Sequence, residues 1–465
     1  MRNGLICKWP ALVALISIIA CNHLPMEQEQ VSLPLQNDYQ VRRNEINTYL
    51  EINKGYTPTK ASCVSVEPVL CNSDTVFYIV NYEKGWEVLS GDKRAPRVLV
   101  KCDGGNITKD DLYSSPAQSA FFQALETNLS KALHDDDFYA SADISDSWLS
   151  CADTSIIRER VLPFYPRIER VLISIDRTVL QCDVRDHLLS TKWGQGYPWN
   201  QKAPYKESTL TNHCLTGCVP VAAAQVLYYL HNKIGKPVGT YGSSVCNAYI
   251  PSSADSLVLS SSDISFSYLA PLHWADMPLT SSGSGSFDKV STLMMRIGYL
   301  YGAKYYRNQT LSYTGYATTY FPSEFSISCS QTSPVTESTL VVETRAQIFT
   351  NQLPMLMSVS DTTAGAHSIV LDGYKYLKES VTYNYALYIV EGPWGIRPGQ
   401  EPDSYDSYTT TEYTRYVAIN WGWDGAGDSD SSGNTIWYNV ATPWVVSSYD
   451  FSEKNYIVYN FAAIN

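Results

Sequence analysis

Residues 217–230 read GCVPVAAAQVLYYL, a glycine and a cysteine followed by an almost continuous apolar run. The run predicts a buried helix, and Pro220 suits a first helical turn, where its missing N–H costs nothing. A thiol at a helix N-terminus feels the positive end of the helix dipole, which favours the nucleophilic thiolate. Cys218 is therefore a candidate nucleophile, although a lone cysteine here is also explained as a small buried packing residue.

A histidine follows at a spacing that suits a thiol enzyme. His367 lies 367 − 218 = 149 residues after Cys218, close to the spacing described for papain-like thiol proteases. It begins a predicted strand behind the small residues 364–366, which leave room for a substrate. A neutral imidazole beside a thiol can take its proton and later protonate a leaving amine. His213 and His231 flank the predicted helix, but neither begins a strand behind such a loop.

Composition limits the classes of partner and cofactor. The chain has 465 residues, enough for two or three domains, with 34 Lys and Arg against 46 Asp and Glu. An acidic balance without a basic run argues against nucleic acid as a partner. The 11 cysteines include no CxxC pair, which argues against a structural zinc site. The thiol chemistry considered for Cys218 and His367 needs no metal and no organic cofactor, and we expect neither.

The amino terminus predicts export. Arg2 and Lys8 precede an apolar run at residues 11–20 that is too short to span a membrane, as in a signal peptide. Residues 18–21, IIAC, resemble the lipobox of bacterial lipoproteins. By that resemblance residues 1–21 form the signal, and Cys21 becomes the lipidated first residue of a protein anchored to the bacterial cell envelope. The alternative is an ordinary signal peptide and a secreted protein.

The chain between the signal and residue 187 divides into two predicted parts. Residues 22–150 carry a polar tether and a small α+β module, and residues 151–187 form a linker in which a maturation cut would fall. The elements predicted within the module are helices at 41–52 and 115–132 and strands at 75–82, 86–90 and 97–100.

Residues 188–465 form the second predicted domain, which is α+β. Its first half is helical, with further helices predicted at 290–301 and 337–351. Its second half is rich in β-structure, with predicted strands at residues 356–359, 367–374, 385–390, 415–420 and 456–460.

Four motifs along this domain carry a family resemblance. They are TKWGQGYPWN at 191–200, GCV with AAAQ at 217–225, GAHSIVLDGY at 365–374 and INWGW at 419–423. In this order they resemble the streptopain family of bacterial cysteine peptidases. Residues 77–99 also resemble the inhibitory pro-segment of that family. The resemblance implies a papain-like fold and protein or peptide substrates. It also implies a precursor that its own pro-segment inhibits until proteolysis removes it.

The resemblance assigns roles to five residues. Cys218 would be the nucleophile, and His367 the general base and acid. Gln195 would donate a hydrogen bond to the oxyanion together with the Cys218 backbone N–H, and one such donor contributes about 3 kcal/mol to acyl transfer. Asn420 would orient His367, and Trp421 would shield that contact from water. Cys214 is the nearest rival nucleophile, but it lies outside the predicted helix and its motif.

The chain departs from the family pattern at several points. Pro220 and Val221 replace smaller residues after the nucleophile. His367 and Asn420 are 420 − 367 = 53 residues apart, so residues 374–415 hold an insertion that would reshape the cleft. Residues 428–433, DSDSSG, resemble the start of a calcium loop, but Asn439 stands at the twelfth position in place of glutamate, which favours a solvated turn.

These observations favour a lipid-anchored or secreted cysteine endopeptidase made as a zymogen. Two alternatives stay open at this stage. One is an inactive binding lipoprotein on the same fold, and the other is a Cys–His enzyme of another kind, such as a transglutaminase or an amidase.

Overall fold

The structure is a computed structural model that describes residues 40–52, 62–135, 167–237, 241–245, 248–250, 259–260, 266–361, 365–390, 395–441 and 456–464. The predicted signal peptide, Cys21, the tether up to residue 39 and residues 136–166 lie outside the described residues. Among the helices of the described part, none is both long enough and apolar enough to cross a membrane.

The described helices fall in two groups, one before residue 135 and one between residues 218 and 351. They are α1 Arg43–Ile52, α2 Lys109–Leu112, α3 Pro116–Leu133, α4 Cys218–Ile234, α5 Phe287–Leu300, α6 Ala317–Phe325 and α7 Glu337–Thr344, which continues into a π-helical turn at Arg345–Asn351.

The described strands number sixteen, and most of those outside the main sheet are short. They are β1 Cys63–Cys71, β2 Asp74–Tyr82, β3 Trp86–Ser90, β4 Val98–Cys102, β5 Arg167–Arg185, β6 Tyr241–Val245, β7 Leu259–Ser260, β8 Phe266–Pro271, β9 Lys304–Tyr305, β10 Thr310–Leu311, β11 Ile327–Thr332, β12 Met355–Asp361, β13 Gly365–Val390, β14 Ser404–Asn420, β15 Ile436–Asn439 and β16 Tyr456–Ala463.

One antiparallel sheet runs through the described chain. Its eleven strands lie in the order β1-β2-β3-β4-β15-β14-β13-β12-β16-β11, with β5 paired to β13 beyond the end of β12. The helix α4 packs against β12 and β13 on one side and against α5 on the other. The predicted α+β class, with a helical half and an antiparallel β half behind an α+β module, is confirmed.

The predicted module is present as residues 40–135, called the amino-terminal module below. Its helices α1 and α3 and three of its strands lie where the sequence predicts them, but the short helix α2 and the strand β1 were not predicted. This strand carries Pro68 and is mostly exposed, so it lacks an apolar face that a sequence pattern could reveal. The module is not a separate sheet, because β4 pairs with β15 and places Trp437 opposite Lys101.

The predicted linker at 151–187 differs from the structure. Residues 167–185 form the strand β5, which pairs with β13 from Tyr374 to Val390. The boundary at residue 188 therefore cuts through a hydrogen-bonded sheet. The apolar and charged residues that alternate along β5 can be assigned to a strand only once their partner strand is known.

The predicted insertion at 374–415 is a long hairpin. The two strands predicted at 367–374 and 385–390 are one strand, β13, of 26 residues, which pairs with β14. We call residues 167–185, 374–390 and 404–415 the arm. Its inner face packs on the amino-terminal module in one buried cluster, which contains Val41, Ile46, Tyr49, Tyr78, Val80, Tyr82 and Leu89 of the module and Leu172, Ile175, Val381 and Tyr383 of the arm.

Candidate active site

The candidate nucleophile is the first residue of α4. Gly217 caps the helix with φ of 96°, a left-handed conformation that favours glycine, and a Cβ there would lie 3.0 Å from the Thr310 side chain. The N–H groups of a first helical turn have no acceptor inside the helix. The Cys218 N–H is therefore free to point at a substrate oxygen, and its half-buried side chain lies at the positive end of the helix dipole.

The sheet brings His367 and Ser368 to this thiol. His367 lies near the start of β13, and its side chain hydrogen-bonds Cys218. The Ser368 backbone N–H donates to Cys218 Sγ at 3.4 Å. The structure thus unites the two residues that the sequence pairs across 149 positions, and it adds a backbone donor that the sequence does not reveal.

The two side chains shift each other toward a thiolate and an imidazolium. Burial raises the pKa of the Cys218 thiol, but the charge and hydrogen bond of His367 and the Ser368 N–H lower it, and the net pKa is below the ordinary 9.0. Burial lowers the pKa of His367, but the Cys218 thiolate and the Trp421 carbonyl raise it above 6.5. A low thiol pKa beside a high imidazole pKa is the electrostatic condition for a nucleophilic thiolate.

The outer nitrogen of the His367 ring is held by a backbone carbonyl. His367 Nε2 lies 3.2 Å from the Trp421 carbonyl oxygen. A carbonyl only accepts, so Nε2 carries the proton and Nδ1 is the nitrogen that can take a proton from the thiol. The Trp421 indole is buried and its Nε1 donates to the Tyr438 hydroxyl at 3.2 Å.

The side chain of Asn420, which was expected to orient His367, makes its hydrogen bonds to other residues. Its Nδ2 donates to the Thr191 carbonyl at 3.0 Å and to Gln225 Oε1 at 3.3 Å. Its Oδ1 accepts from Gln225 Nε2 at 2.8 Å and from the Gly422 N–H at 3.0 Å. Asn420 is the last residue of β14, and the hydrogen bonds with the buried amide of Gln225 hold its side chain against α4.

Gln195 lies beside the start of α4. The Thr216 N–H donates to the Gln195 carbonyl at 3.0 Å, which fixes the 193–196 loop two residues ahead of Cys218. Gln195 is 6% exposed, and within the described chain its side-chain amide makes no hydrogen bond. An amide beside the nucleophile that makes no hydrogen bond is available to an oxyanion. The assignment of Gln195 as the oxyanion donor stays a prediction.

Asp428 binds the Trp421 backbone, and Asp372 is linked to Asp428 through His187; the sequence analysis did not assign these roles. Asp428 is buried and its Oδ1 accepts from the Trp421 N–H at 2.9 Å, while burial raises its pKa to about 7. Asp372 is fully buried, and its Oδ1 lies 2.7 Å from His187 Nδ1. His187 Nε2 in turn donates to the Asp428 carbonyl at 3.0 Å. The three side chains form a cluster under the site.

The loop that resembles a calcium site is closed by its own hydrogen bonds. Asp430 Oδ1 accepts from the backbone N–H groups of Ser432 and Asn434, at 2.9 and 2.8 Å. Asp428 points the other way, into the protein. The two carboxylates therefore bind different backbone groups, as in an ordinary Asx turn.

The rival nucleophile, Cys214, lies in a different environment. It is fully buried, and burial raises the pKa of its thiol to about 11. A thiol with so high a pKa is almost entirely protonated at neutral pH. The geometry therefore favours Cys218.

The amino-terminal module touches the site from the side of Trp421. Phe121 on α3 packs against the Trp421 ring with centroids 5.6 Å apart and against the Tyr438 ring at 5.3 Å. The ion pair between Lys375 Nζ and Asp103 Oδ2, at 2.6 Å, joins the module to β13 nearby. The module thus packs on the residue whose carbonyl binds the histidine.

Comparisons with known proteins give similar solved structures and a family match. No curated protein matches the chain. Similar solved structures include a mutant fragment of prointerpain A from Prevotella intermedia, with 16% identity, a TM-score of 0.48, and coverage of 85% of this chain and 98% of that chain. Another is the active wild-type interpain A cysteine protease from the same organism, with 20% identity, a TM-score of 0.36, and coverage of 59% and 94%.

The family resemblance seen in the sequence is confirmed. The model of the peptidase C10 family matches residues 193–429, just over half of the chain, and spans all four motifs except the edge of the first. Cys218, His367 and the segment at 420–421 fall inside the match. The chain therefore belongs to the peptidase C10 family, the streptopain family, and is a cysteine-type peptidase.

Proposed function

We propose that the chain is the precursor of an endopeptidase that is exported to the bacterial cell envelope and held inactive by its amino-terminal module. The observation that carries the reaction is the contact of Cys218 with His367, in which Nε2 is bound to the Trp421 carbonyl and Nδ1 is left for the thiol. Inhibition by the module is supported by the packing of Phe121 on Trp421.

The reaction follows from this geometry. His367 Nδ1 takes the proton of Cys218 Sγ, and the thiolate forms a C–S bond to the carbonyl carbon of a peptide. The Cys218 N–H and the Gln195 amide stabilise the charge on the carbonyl oxygen. The imidazolium then gives its proton to the amine nitrogen as the C–N bond breaks. Water, deprotonated by the same imidazole, hydrolyses the acyl-enzyme and frees the thiol.

Maturation requires a cut that leaves the arm intact. The strand β5 pairs with β13 along its whole length, so a cut within residues 167–185 would remove a strand from the sheet. The helix α3 ends at Leu133 on the other side. We therefore place the cut between Asp135 and Arg167, a range that overlaps the predicted maturation region of residues 151–187 only at residues 151–166.

The test is the intact mass of the precursor from residue 22 onward, followed over time under reducing conditions. We expect the wild type and Cys214→Ala to lose a segment that ends between Asp135 and Arg167, and Cys218→Ala to stay whole. A wild type that neither matures nor reacts at Cys218 with a thiol-directed inhibitor would support the inactive binding protein instead.

Anchoring through Cys21 is proposed on the sequence alone. Residues 18–21 resemble a lipobox, and Cys21 would carry the lipid. When the full chain is expressed in a bacterium that processes lipoproteins, the wild type should enter the detergent phase and incorporate labelled palmitate. Cys21→Ser should do neither. Incorporation that is equal in both would contradict the anchor and leave an ordinary secreted protein.

A further inference from the structure

The buried amide of Gln225 lies between α4, the loop of Trp193 and Gln195, and the end of β14. Gln225 is fully buried on α4, within an otherwise apolar run of alanine, valine and leucine. It follows Cys218 by seven residues, or about two helical turns, so both side chains lie on the same face of the helix. A buried amide must find hydrogen-bond partners, and the identity of these partners shows what the residue supports.

The Gln225 amide binds two other segments of the site. Its Oε1 accepts from the Trp193 N–H at 3.2 Å and from Asn420 Nδ2 at 3.3 Å. Its Nε2 donates to Asn420 Oδ1 at 2.8 Å. Trp193 lies two residues before Gln195 in the same loop. One side chain therefore joins the nucleophile helix, the loop that carries the expected oxyanion donor and the strand that precedes Trp421.

The contact with Asn420 continues to the catalytic histidine. Asn420 Oδ1 also accepts from the Gly422 N–H at 3.0 Å. That N–H and the Trp421 carbonyl belong to the same peptide group, and the carbonyl binds His367 Nε2 at 3.2 Å. A hydrogen bond on the N–H side of a peptide group strengthens the acceptor on its C=O side. Gly422 has φ of 67°, and this left-handed turn orients the peptide group between the two side chains.

We propose that Gln225 is a positioning residue that holds the His367 ring through Asn420 and the Trp421–Gly422 peptide group. It does not touch the reacting atoms. By the same contacts it fixes the loop of Trp193 and Gln195 relative to Cys218. The family's expected direct contact between the asparagine and the histidine is thus replaced by a relay through a backbone peptide. The inference rests on His367 serving Cys218 in the proposed reaction.

The relay predicts a particular change in pH dependence. In the described chain, the charged group that faces the His367 ring is Cys218, and the Trp421 carbonyl lies on the opposite nitrogen. If the carbonyl is less well held, the imidazolium loses part of a charge-assisted hydrogen bond and gives up its proton at lower pH. If Gln225 only filled space, its replacement would lower the fraction of active protein without shifting the pH dependence of the activity.

The experiment measures the alkylation rate of Cys218 by iodoacetamide against pH, with the modified peptide identified by mass, in the precursor from residue 22 onward. It also measures kcat/KM against pH after maturation. We expect Gln225→Leu to move the alkaline limb of kcat/KM about one unit toward lower pH, the size expected for partial loss of a charge-assisted hydrogen bond. The acid limb of alkylation should move upward, because a weaker imidazolium stabilises the thiolate less.

Gln225→Glu is a more specific test of the relay, because it keeps the size of the side chain. An ionised glutamate still accepts from Trp193 and Asn420 but cannot donate to Asn420 Oδ1, whereas a protonated one can. We therefore expect near-wild-type alkylation at pH 5 and a loss of tenfold or more at pH 8. Tyr229→Phe is the matched control, because it removes a hydrogen bond from the same helix to the Gln352 carbonyl, outside the relay.

A double-variant cycle with Asn420→Ala separates the relay from general destabilisation. If Gln225 acts through Asn420, the shift of the alkaline limb in the double variant should be no larger than in Asn420→Ala alone. The relay is overturned if the limbs stay in place while the amplitude falls, or if the two shifts add. A wild type whose Cys218 thiol shows no lowered pKa would instead overturn the proposed peptidase reaction.

Discussion

Phe121 of the amino-terminal module packs on Trp421, with ring centroids 5.6 Å apart. Trp421 belongs to the chain from residue 167 onward, called the peptidase segment below. The two residues are 300 positions apart in the sequence. The backbone carbonyl of Trp421 binds His367, so Phe121, which the proposed maturation would remove, is one residue away from the proposed dyad of Cys218 and His367. This contact couples the presence of the module to the environment of the histidine.

Phe121→Ala should speed maturation. Truncating a buried phenylalanine costs about 3–5 kcal/mol, and part of that cost falls on the interface between the module and the peptidase segment. We expect conversion of the precursor, followed by intact mass, to be at least tenfold faster than in the wild type. Gln123→Ala, an exposed change on the same helix, should convert at the wild-type rate. Equal rates for Phe121→Ala and the wild type would show that this contact does not restrain the site.

His367→Asn should raise the pKa of the Cys218 thiol. The imidazolium lowers that pKa below 9.0 against the effect of burial, so its removal leaves burial dominant and moves the pKa above 9.0. Each unit reduces the thiolate fraction about tenfold at neutral pH. Alkylation of Cys218 by iodoacetamide at pH 7 should therefore fall more than tenfold. His213→Asn, which changes a histidine stacked on Tyr205, is the control and should leave the rate unchanged.

Glu379→Gln should stabilise the precursor at alkaline pH. Glu379 is buried in the arm, and burial together with the charge of Glu412 raises its pKa from 4.5 to about 7. Arg177 Nη1 lies 3.4 Å from Glu379 but makes its shorter contact, 2.7 Å, to Glu412. The folded chain therefore holds a proton that the unfolded chain releases, and stability falls as pH rises from 4.5 to 7 and is level above. Urea unfolding should show Glu379→Gln more stable than the wild type by about 3 kcal/mol at pH 8 and nearly equal at pH 4. A gain that is the same at both pH values would contradict this account.

His187→Gln should reduce the loss of folding stability that the wild type shows as the pH rises above 6.5. Burial lowers the pKa of His187, but the Asp372 carboxylate raises it, to about 9 in place of 6.5. A raised histidine pKa gives stability that is complete below pH 6.5 and is lost as pH rises through 9. The wild type should lose about 3 kcal/mol between pH 6.5 and 9.5, as seen in the urea midpoint, and the variant should lose much less. Equal slopes would show that the ion pair with Asp372 does not form.

The sequence predicted most of the local elements, and it singled out Cys218 and His367, which the structure brings together. The apolar run after Cys218 and the small residues before His367 are local signals, and the structure confirms the helix and the strand on which they lie. The arm was not predicted as one unit. Its strands carry charged residues such as Arg177 and Glu379, which interrupt the apolar alternation that would predict a strand. Only the structure shows that these two side chains lie opposite each other on β5 and β13, with Arg177 Nη1 3.4 Å from Glu379 Oε2.

The hydrogen-bond partner of His367 is a second feature that the sequence could not predict. The motif at 419–423 points to Asn420, but the atom that binds His367 is the carbonyl of Trp421. A backbone carbonyl has no sequence signature. The signal that could have been followed is Gln225, a lone amide in a buried apolar helix, because such an amide requires partners and its partners include Asn420.

The sequence by itself determined the nucleophile helix, the histidine strand, the family and the presence of an amino-terminal module, because each of these rests on residue types at short range or in a fixed order. Only the tertiary structure decided that the module and the peptidase segment share one sheet and that β5 belongs to the arm. It also decided that Asn420 reaches His367 through a peptide group. These are pairings of backbone groups and buried side chains that lie far apart in the sequence, as with Gln225 and Asn420, 195 residues apart, or Lys101 and Trp437, 437 − 101 = 336 residues apart. They depend on the direction of each strand and helix in space.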